Sequence, residues 1–354
     1  MLVAPGWVSS IAVTMATNEE VERSGVARAT RADVAKAAGV SVATVSHVMN
    51  GRAEELGFSP DTAQRVRRAA KAVGYIPRAA ARAFRYQSSK VIALFFPDLP
   101  VSLRLPVFNE VLTGCIDAAR ARGHFILPVP ISANPYEVVE ETLREVELAG
   151  AVCRADPSME PAGELLSRSE VPTAWINTGG EAVPGPGCAS LGIDEARGVR
   201  DMLDRIDTDS VARPVVLLGP GRRSDRVRPF LERFPQAQIL TAQGWLSDDA
   251  RLSANAAVEQ GADLFFTGND QLGVGVLEVL HERGRNVPGD VQVFSFGDVE
   301  SGPAALLGLS SVKWPVNELG ALAAAAVIEG GSAPSPLVTT LPTCANLRST
   351  TRLR

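Results

Sequence analysis

The chain of 354 residues predicts an α/β fold in which an N-terminal helix-turn-helix headpiece precedes a two-lobed body of doubly wound parallel sheet. Three observations predict it. Residues 30–74 carry the punctuation of three short helices. From Lys90 the pattern changes to short apolar runs alternating with amphipathic stretches. That alternation comes as two successive series, each long enough for a sheet of its own.

In the headpiece, Asp33-Val34-Ala35-Lys36-Ala37-Ala38 is rich in helix formers, Gly39 supplies a turn and Ser41 an N-cap for the next segment. In that second helix Val45, Val48 and Met49 recur at i, i+3, i+4 and face a core, leaving Ala43, Ser46, His47 and Asn50 on the outer side. A third helix starts at Ser59-Pro60-Asp61, where Ser caps, Pro occupies the first turn and Asp meets the positive end of the dipole. Val66, Ala69, Ala70 and Val73 form its apolar stripe, and Gly74 ends it. Between Asn50 and Ser59, GRAEELGF reads as a surface loop. Tyr75-Ile76-Pro77 is extended, and Arg78 to Phe84 is too short for a helix that is stable alone.

In the body, VIALFFPD (91–98) reads as a buried strand, followed by a helix through Phe108, Val111, Leu112, Cys115, Ile116 and Ala119 that stops at Gly123. HFILPVP is the next strand, EETLREVELAGAVC gives a helix and a strand, and VPTAWIN another strand. ASLGID then leads into a helix from Glu195 to Arg205. The second series runs RPVVLLGP, a helix from Asp225 to Phe234, QAQILTAQGW, a helix from about Ala250 to Gln260, ADLFFTGND, a helix from Gln271 to Arg283, and DVQVFSFGD. Such alternation makes parallel sheets, and two of them leave a cleft beside the carboxyl ends of the strands.

The formal net charge is −5, yet residues 28–87 hold eleven Lys/Arg against four acidic residues, a local +7 that leaves −12 for the rest. A basic end on an acidic body is the footprint of a protein that turns one face to phosphates. Cys115, Cys153, Cys188 and Cys344 are scattered, without CxxC spacing or a neighbouring His. That pattern points to buried free thiols in a reducing compartment and to no metal site. Residues 1–27 begin apolar but lack the basic start of a signal peptide and run into acidic residues. They read as a disordered tail, neither signal peptide nor membrane span, with Met15 an alternative start.

The stretch from Thr30 to Phe84 resembles the DNA-binding headpiece of the lactose-repressor (LacI/GalR) family of bacterial transcription regulators. The residues that carry the resemblance are Thr30, Asp33-Val34-Ala35, Ala38-Gly39-Val40-Ser41, Thr44-Val45-Ser46, Asn50, Arg65-Val66, Gly74-Tyr75, Pro77 and Ala81-Arg82. The body is similar to the family more sparsely, at Pro97-Asp98, Gly114, Asp194, Arg226 with Phe230, Asn269-Asp270, Leu319-Gly320 and Arg348-Ser349-Thr350 among others. The resemblance implies a body like the periplasmic sugar-binding proteins and four segments: a tail (1–27), a DNA-binding domain (28–74), a hinge helix and linker (75–88) and an effector-binding and dimerisation domain (89–354).

It also implies a homodimeric, cytoplasmic, nucleoid-associated regulator without cofactor or membrane partner, a repressor where its site overlaps a promoter. Its partners would be double-stranded operator DNA and a small-molecule effector, a sugar or related metabolite. Thr30, Ser41, Val42, Ala43, Thr44, Ser46, His47 and Asn50 fall on DNA-facing positions of the family, and Val42, Ala43 and His47 on its base-contacting ones. Val42 and Ala43 suit a thymine methyl, while His47, where Arg is common, can donate to a guanine acceptor or hold a phosphate. In the hinge, ordered on specific DNA, Arg78 and Arg82 would hold phosphates or line the groove. Phe84 stands where a leucine wedges into the minor groove, and packing on the body is its alternative role.

For the effector the resemblance implies Asn177, Arg226, Trp245, Asn269 and Asp298. Arg226 is expected as an exposed guanidinium at a strand-to-helix junction, and Trp245 as either a ligand platform or a core residue. Gly297 stands where an acidic residue is common, which removes a sugar-hydroxyl acceptor. Two rival readings are weaker. A dinucleotide-binding enzyme would need Gly273-Val274-Gly275 as a phosphate loop, but the third Gly is missing and the segment lies within a predicted helix. With three His in the chain no Ser-His-Asp constellation emerges. A secreted binding protein would not need the basic headpiece.

Overall fold

The computed structural model describes residues 29–75, 89–97, 104–131, 134–178, 187–221, 225–330 and 337–354. The predicted tail, the hinge with Arg78, Arg82 and Phe84, and the side chain of Asn177 lie outside the described residues. The chain divides into two compact units, Met1–Ser88 and Ser89–Arg354.

In the first unit, α1 (Arg31–Ala38) is opened by a capping box in which the Thr30 and Asp33 side chains each take the other's backbone amide. It is closed by Gly39 in the left-handed region (φ 64°), whose N–H bonds the Ala35 carbonyl. The turn feeds α2 (Val42–Met49), capped by Ser41, and α3 (Pro60–Ala72), capped by Ser59 with Pro in its first turn. Val34, Ala38, Val45, Val48, Val66 and Ala70 seal one core. Arg65 Nε bonds the Ala38 carbonyl at 3.1 Å, tying α3 to the carbonyl end of α1. The loop between α2 and α3 contributes to packing: Ala53 is buried, and Phe58 N–H bonds the Ala53 carbonyl at 2.8 Å.

The second unit holds two six-stranded sheets. The first is built from β1 (Val91–Pro97), β2 (Phe125–Ile131), β3 (Gly150–Arg154), β4 (Thr173–Thr178), β5 (Ala189–Asp194) and β11 (Leu337–Pro342). Its order is β11-β5-β4-β3-β1-β2, and every pair is parallel. β1 is buried on both faces, as parallel strands are. Its Ile92, Leu94 and Phe96 pack with α4 (Pro106–Ala121) and α11 (Val316–Glu329), while Ala93 and Phe95 face α5 (Pro135–Glu145) and α6 (Glu160–Arg168).

The second sheet joins β6 (Pro214–Leu218), β7 (Gln238–Thr241), β8 (Leu264–Thr267), β9 (Gln292–Gly297), β10 (Ser310–Lys313) and β12 (Cys344–Asn346) in the order β12-β10-β9-β8-β6-β7. Only β12 runs antiparallel. One face carries α9 (Ser247–Glu259) and α10 (Asp270–Glu282), the other α7 (Glu195–Arg205) and α8 (Arg228–Arg233).

The chain passes between the lobes three times: from β5 into α7, from β10 into α11, and from β11 into β12. Thr343 pins two passages together. Its hydroxyl donates to the Asp194 carbonyl at 2.6 Å and accepts the Gly198 N–H at 2.8 Å.

Both lobes are thus as expected in kind, with local differences. Asp225–Val227 is a single 3-10 turn and the α-helix starts only at Arg228. The helix Glu160–Arg168 and everything after β9 were not anticipated by the periodicity. Cys115 and Cys153 are buried thiols, but Cys344 is exposed, because β12 is an edge strand. Among the described residues no helix is long and apolar enough to cross a membrane.

Candidate functional sites

The outer face of α2 is the first candidate. Ser41 accepts the Thr44 N–H at 3.0 Å and the two hydroxyls bond each other at 2.9 Å, so both side chains are committed to opening the helix. Thr30 is committed in the same way to α1, and its hydrogen bonds hold the Asp33 carboxyl below the usual range. What this leaves outermost is apolar and small. Val42 is 47% exposed and Ala43 exposed, whereas Val45 on the opposite face is fully buried. His47 is half-buried, its ring 6.2 Å from that of Phe58. Ser46 departs from expectation: it is buried, with the Asn50 amide folded over its hydroxyl at 3.5 Å from the next turn. Asn50 is the C-cap of α2 and only partly exposed.

The second candidate is a cavity of about 620 Å³ between the lobes of the body. The carboxyl ends of β1, β3, β4, β6, β8 and β10 all reach it, through Phe96, Arg154, Ile176, Leu218, Gly268 and Trp314. In doubly wound sheets that is where ligands bind. The walls are mostly apolar. Phe96 and Phe108 meet with ring centroids 4.2 Å apart on the first lobe, and Trp245 stands on the second. The Trp245 indole lies against bare backbone: a Cβ at Gly219 would fall 2.3 Å from its ring. It is therefore part of the lobe's packing as well as the cavity wall.

Arg226 lines this cavity but is not the exposed guanidinium expected from sequence. It is 7% exposed and forms an ion pair with Glu195, itself 1% exposed, while Nη1 donates to the Gly268 carbonyl at 2.8 Å. Its guanidinium lies 4.1 Å from the Phe296 ring centroid and 5.0 Å from that of Trp314. The reason is tertiary: Glu195 opens α7 at the first interlobe passage and faces the turn that carries Arg226. Glu195 Oε2, Arg226 Nε and Trp314 Nε1 are buried without a hydrogen-bond partner among the described residues.

Asn269 also lines the cavity, but its amide is already used. Oδ1 accepts the Leu272 N–H at 2.8 Å as the cap of α10, and Nδ2 donates to the Trp245 carbonyl at 2.9 Å. Asp298 is a correction. It is not among the residues that line the cavity; at left-handed backbone, φ 43°, its carboxylate is held by Arg348, just past β12, at 2.6 Å and by Asn346 at the end of β12 at 2.8 Å. Gly297 has a steric cause as well: a Cβ there would fall 2.6 Å from Asp270 Oδ2.

Two family profiles match the two kinds of site. The profile for bacterial regulatory proteins of the lacI family matches residues 24–78, and that for the periplasmic binding protein-like domain matches residues 212–351. The chain belongs to the lacI family of bacterial regulatory proteins. As a lacI-family member it is a DNA-binding regulator of transcription and not an enzyme. It is 28% identical over 308 residues to the ribose operon repressor of Bacillus subtilis, covering 84% of this chain and 90% of the relative. Among solved structures it is similar to the lac repressor dimer bound to operator and the anti-inducer ONPF, with a TM-score of 0.76 at 20% identity over 92% of this chain and 99% of the other. A second similar structure is the transcriptional regulator CelR in complex with cellobiose, with a TM-score of 0.62 at 22% identity over 91% of this chain and 100% of the other.

Much of the cavity lining of this lacI-family chain escaped the sequence reading, including Trp314, and so did Glu195, which pairs with Arg226 without lining the cavity itself. Glu195 directly follows Asp194 at a predicted strand-to-helix junction, and that place was a usable signal. Trp314 had none, since it lies in a passage with no periodicity.

Proposed function

We propose that this lacI-family protein is a repressor that binds operator DNA as a homodimer in the cytoplasm, at the nucleoid, and that a small molecule held between the lobes of the body sets its operator affinity. In this reading residues 28–74 read DNA, 75–88 form the hinge, and 89–354 bind effector and partner subunit. The observation that carries it is the outer face of α2, where Val42 and Ala43 stand exposed on a helix whose other face is a sealed core. An exposed valine alone is ordinary. Here it opens a capped helix in a segment matched by the family profile. The dimer, the operator and the sugar-type effectors of the similar proteins support the same reading.

Val42 and Ala43 are assigned to apolar contact with base edges, and His47, steadied by Phe58, to a hydrogen bond with a guanine acceptor. Thr30, Ser41, Thr44 and Asn50 hold the helix ends that present these groups, and Arg226 with Trp245 belongs to the effector wall. Randomised-site selection followed by electrophoretic mobility shift tests the proposal. Wild type should enrich a two-fold symmetric site, and His47→Ala should relax one symmetric pair of positions within it. No enrichment, or an unchanged logo for His47→Ala, sinks the corresponding assignment.

A further inference from the structure

The loop that leaves α2 sets a carboxylate beside the base-reading face. Of the four acidic residues between positions 29 and 75, Asp33 is used in the capping box of α1, and Asp61 pairs with Arg65 at 3.2 Å. The other two, Glu54 and Glu55, stand in the loop and are exposed. An acidic side chain next to a surface that meets phosphates weakens binding unless it does something else there.

Glu55 is tied to the end of α2. Arg52 Nε and Nη2 donate to its two carboxylate oxygens at 2.9 and 2.7 Å, a fork that fixes the plane of the carboxylate. Arg52 is itself fixed to the helix: its backbone N–H bonds the His47 carbonyl at 3.0 Å, and the Gly51 N–H bonds that of Val48 at 3.1 Å. The loop is anchored from below by buried Ala53 and by Phe58, whose ring stacks with that of His47. The hydrogen bond from Arg52 holds the Glu55 carboxyl below the usual range, and the nearby His47 adds to this to a smaller extent. The Glu55 side chain is 61% exposed, and a carboxylate held on one edge by a guanidinium keeps acceptor sites for a further donor.

A donor and an acceptor side by side suit the major-groove edge of a G·C pair, where guanine N7 and O6 accept and cytosine N4 donates. A phosphate has no donor to offer, so the same carboxylate repels it. The Arg52–Glu55 pair carries no net charge and adds nothing to the attraction that any DNA exerts on the headpiece.

We propose that Glu55 accepts a hydrogen bond from a cytosine N4 amino group next to the base contacted by His47, that Arg52 positions it, and that the same carboxylate disfavours DNA presenting only phosphates there. This rests on the reading of α2 given above. Discrimination then has an attractive and a repulsive component in one side chain.

Randomised-site selection with the full chain tests it, with mobility shifts on the selected site and on a scrambled duplex. Glu55→Ala should lose a cytosine preference at a symmetric pair of positions, at or beside those that His47→Ala relaxes. The penalty for replacing that cytosine should fall from about fivefold or more to less than about twofold. Affinity for the scrambled duplex should rise, and the slope of log affinity against log salt should steepen by about 0.9 for each headpiece as Arg52 turns to a phosphate. Arg52→Ala should lose the same cytosine preference without that steepening. Glu54→Ala removes the same charge one residue away and should leave the selected sequence as in wild type. Should Glu55→Ala loosen the loop in thermal melts, Glu55→Gln, which keeps an acceptor for Arg52 without the charge, makes the phosphate comparison and Arg52→Ala the sequence comparison. An unchanged logo for Glu55→Ala, scrambled-duplex affinity that does not rise, or the same loss of preference in Glu54→Ala overturns the proposal. His47→Ala keeps the two readings apart. If it relaxes its positions while Glu55→Ala changes nothing, only the role of Glu55 falls; if wild type enriches no site, the reading of α2 falls with it.

Discussion

Arg226 shows how a single residue can be both wall and support. Removing its side chain leaves Glu195 buried without a counter-charge, so Arg226→Ala should cost about 3–5 kcal/mol of stability in urea melts. The double change Glu195→Gln with Arg226→Met should recover most of that loss; if it does not, the pair is not the source. Asp270 offers a second residue-scale prediction. Burial pushes its carboxyl above the usual range, while hydrogen bonds from Ser295, Ser311 and the Asp298 amide pull the other way. A carboxyl raised by folding contributes stability that is fully present below its unfolded pKa and lost as pH climbs through the folded value. The melting-temperature advantage of wild type over Asp270→Asn should therefore shrink as pH is raised from the acid side towards neutrality, and a gap that widens would contradict this sign.

At the level of elements, α4 and α11 lock through reciprocal notches. A Cβ at Gly114 would fall 2.0 Å from the Asn317 carbonyl oxygen, and one at Gly320 would fall 2.3 Å from that of Val111. Both obstacles are backbone, so neither can rotate away. Gly114→Ala should destabilise the body by about 1–3 kcal/mol, read as a lower urea midpoint, and Gly320→Ala likewise. An unchanged midpoint would mean that the two helices separate freely. Elements of this kind also mark what the sequence disclosed. The headpiece was legible because caps, turn glycines and a 3.6-residue stripe are local signals, as were the helix starts of α7 and α10, and β1 was legible as a short continuous apolar run. The cavity was legible only as a place. That Arg226 would be buried against Glu195, that the Asn269 amide would be spent on α10 and Trp245, and that Asp298 would turn to Arg348 each depends on residues far apart in the chain. Ser46 was misread because its neighbour Asn50 bends back over it, which helical periodicity alone does not encode.

For the whole molecule, the net −5 conceals a basic N-terminal segment on an acidic remainder. Operator affinity should accordingly fall steeply with salt, by roughly 10³–10⁵ between 50 and 200 mM if six to ten phosphates are held. Mobility shifts across that range check it, and a flat dependence would exclude a phosphate-led interface. The threefold passage between lobes has a different consequence, in the order of synthesis. Neither lobe is a continuous piece of chain: the first sheet is not complete until β11, at Leu337–Pro342, has been added, although its first strand is Val91–Pro97. The lobe made first is therefore finished nearly last. From its synthesis until residue 337 β5 lacks its neighbour β11, and until residue 316 β1 lacks the cover of α11. The nascent first lobe must wait with open apolar surface, a ready client for chaperones, until the C-terminal fifth of the protein leaves the ribosome.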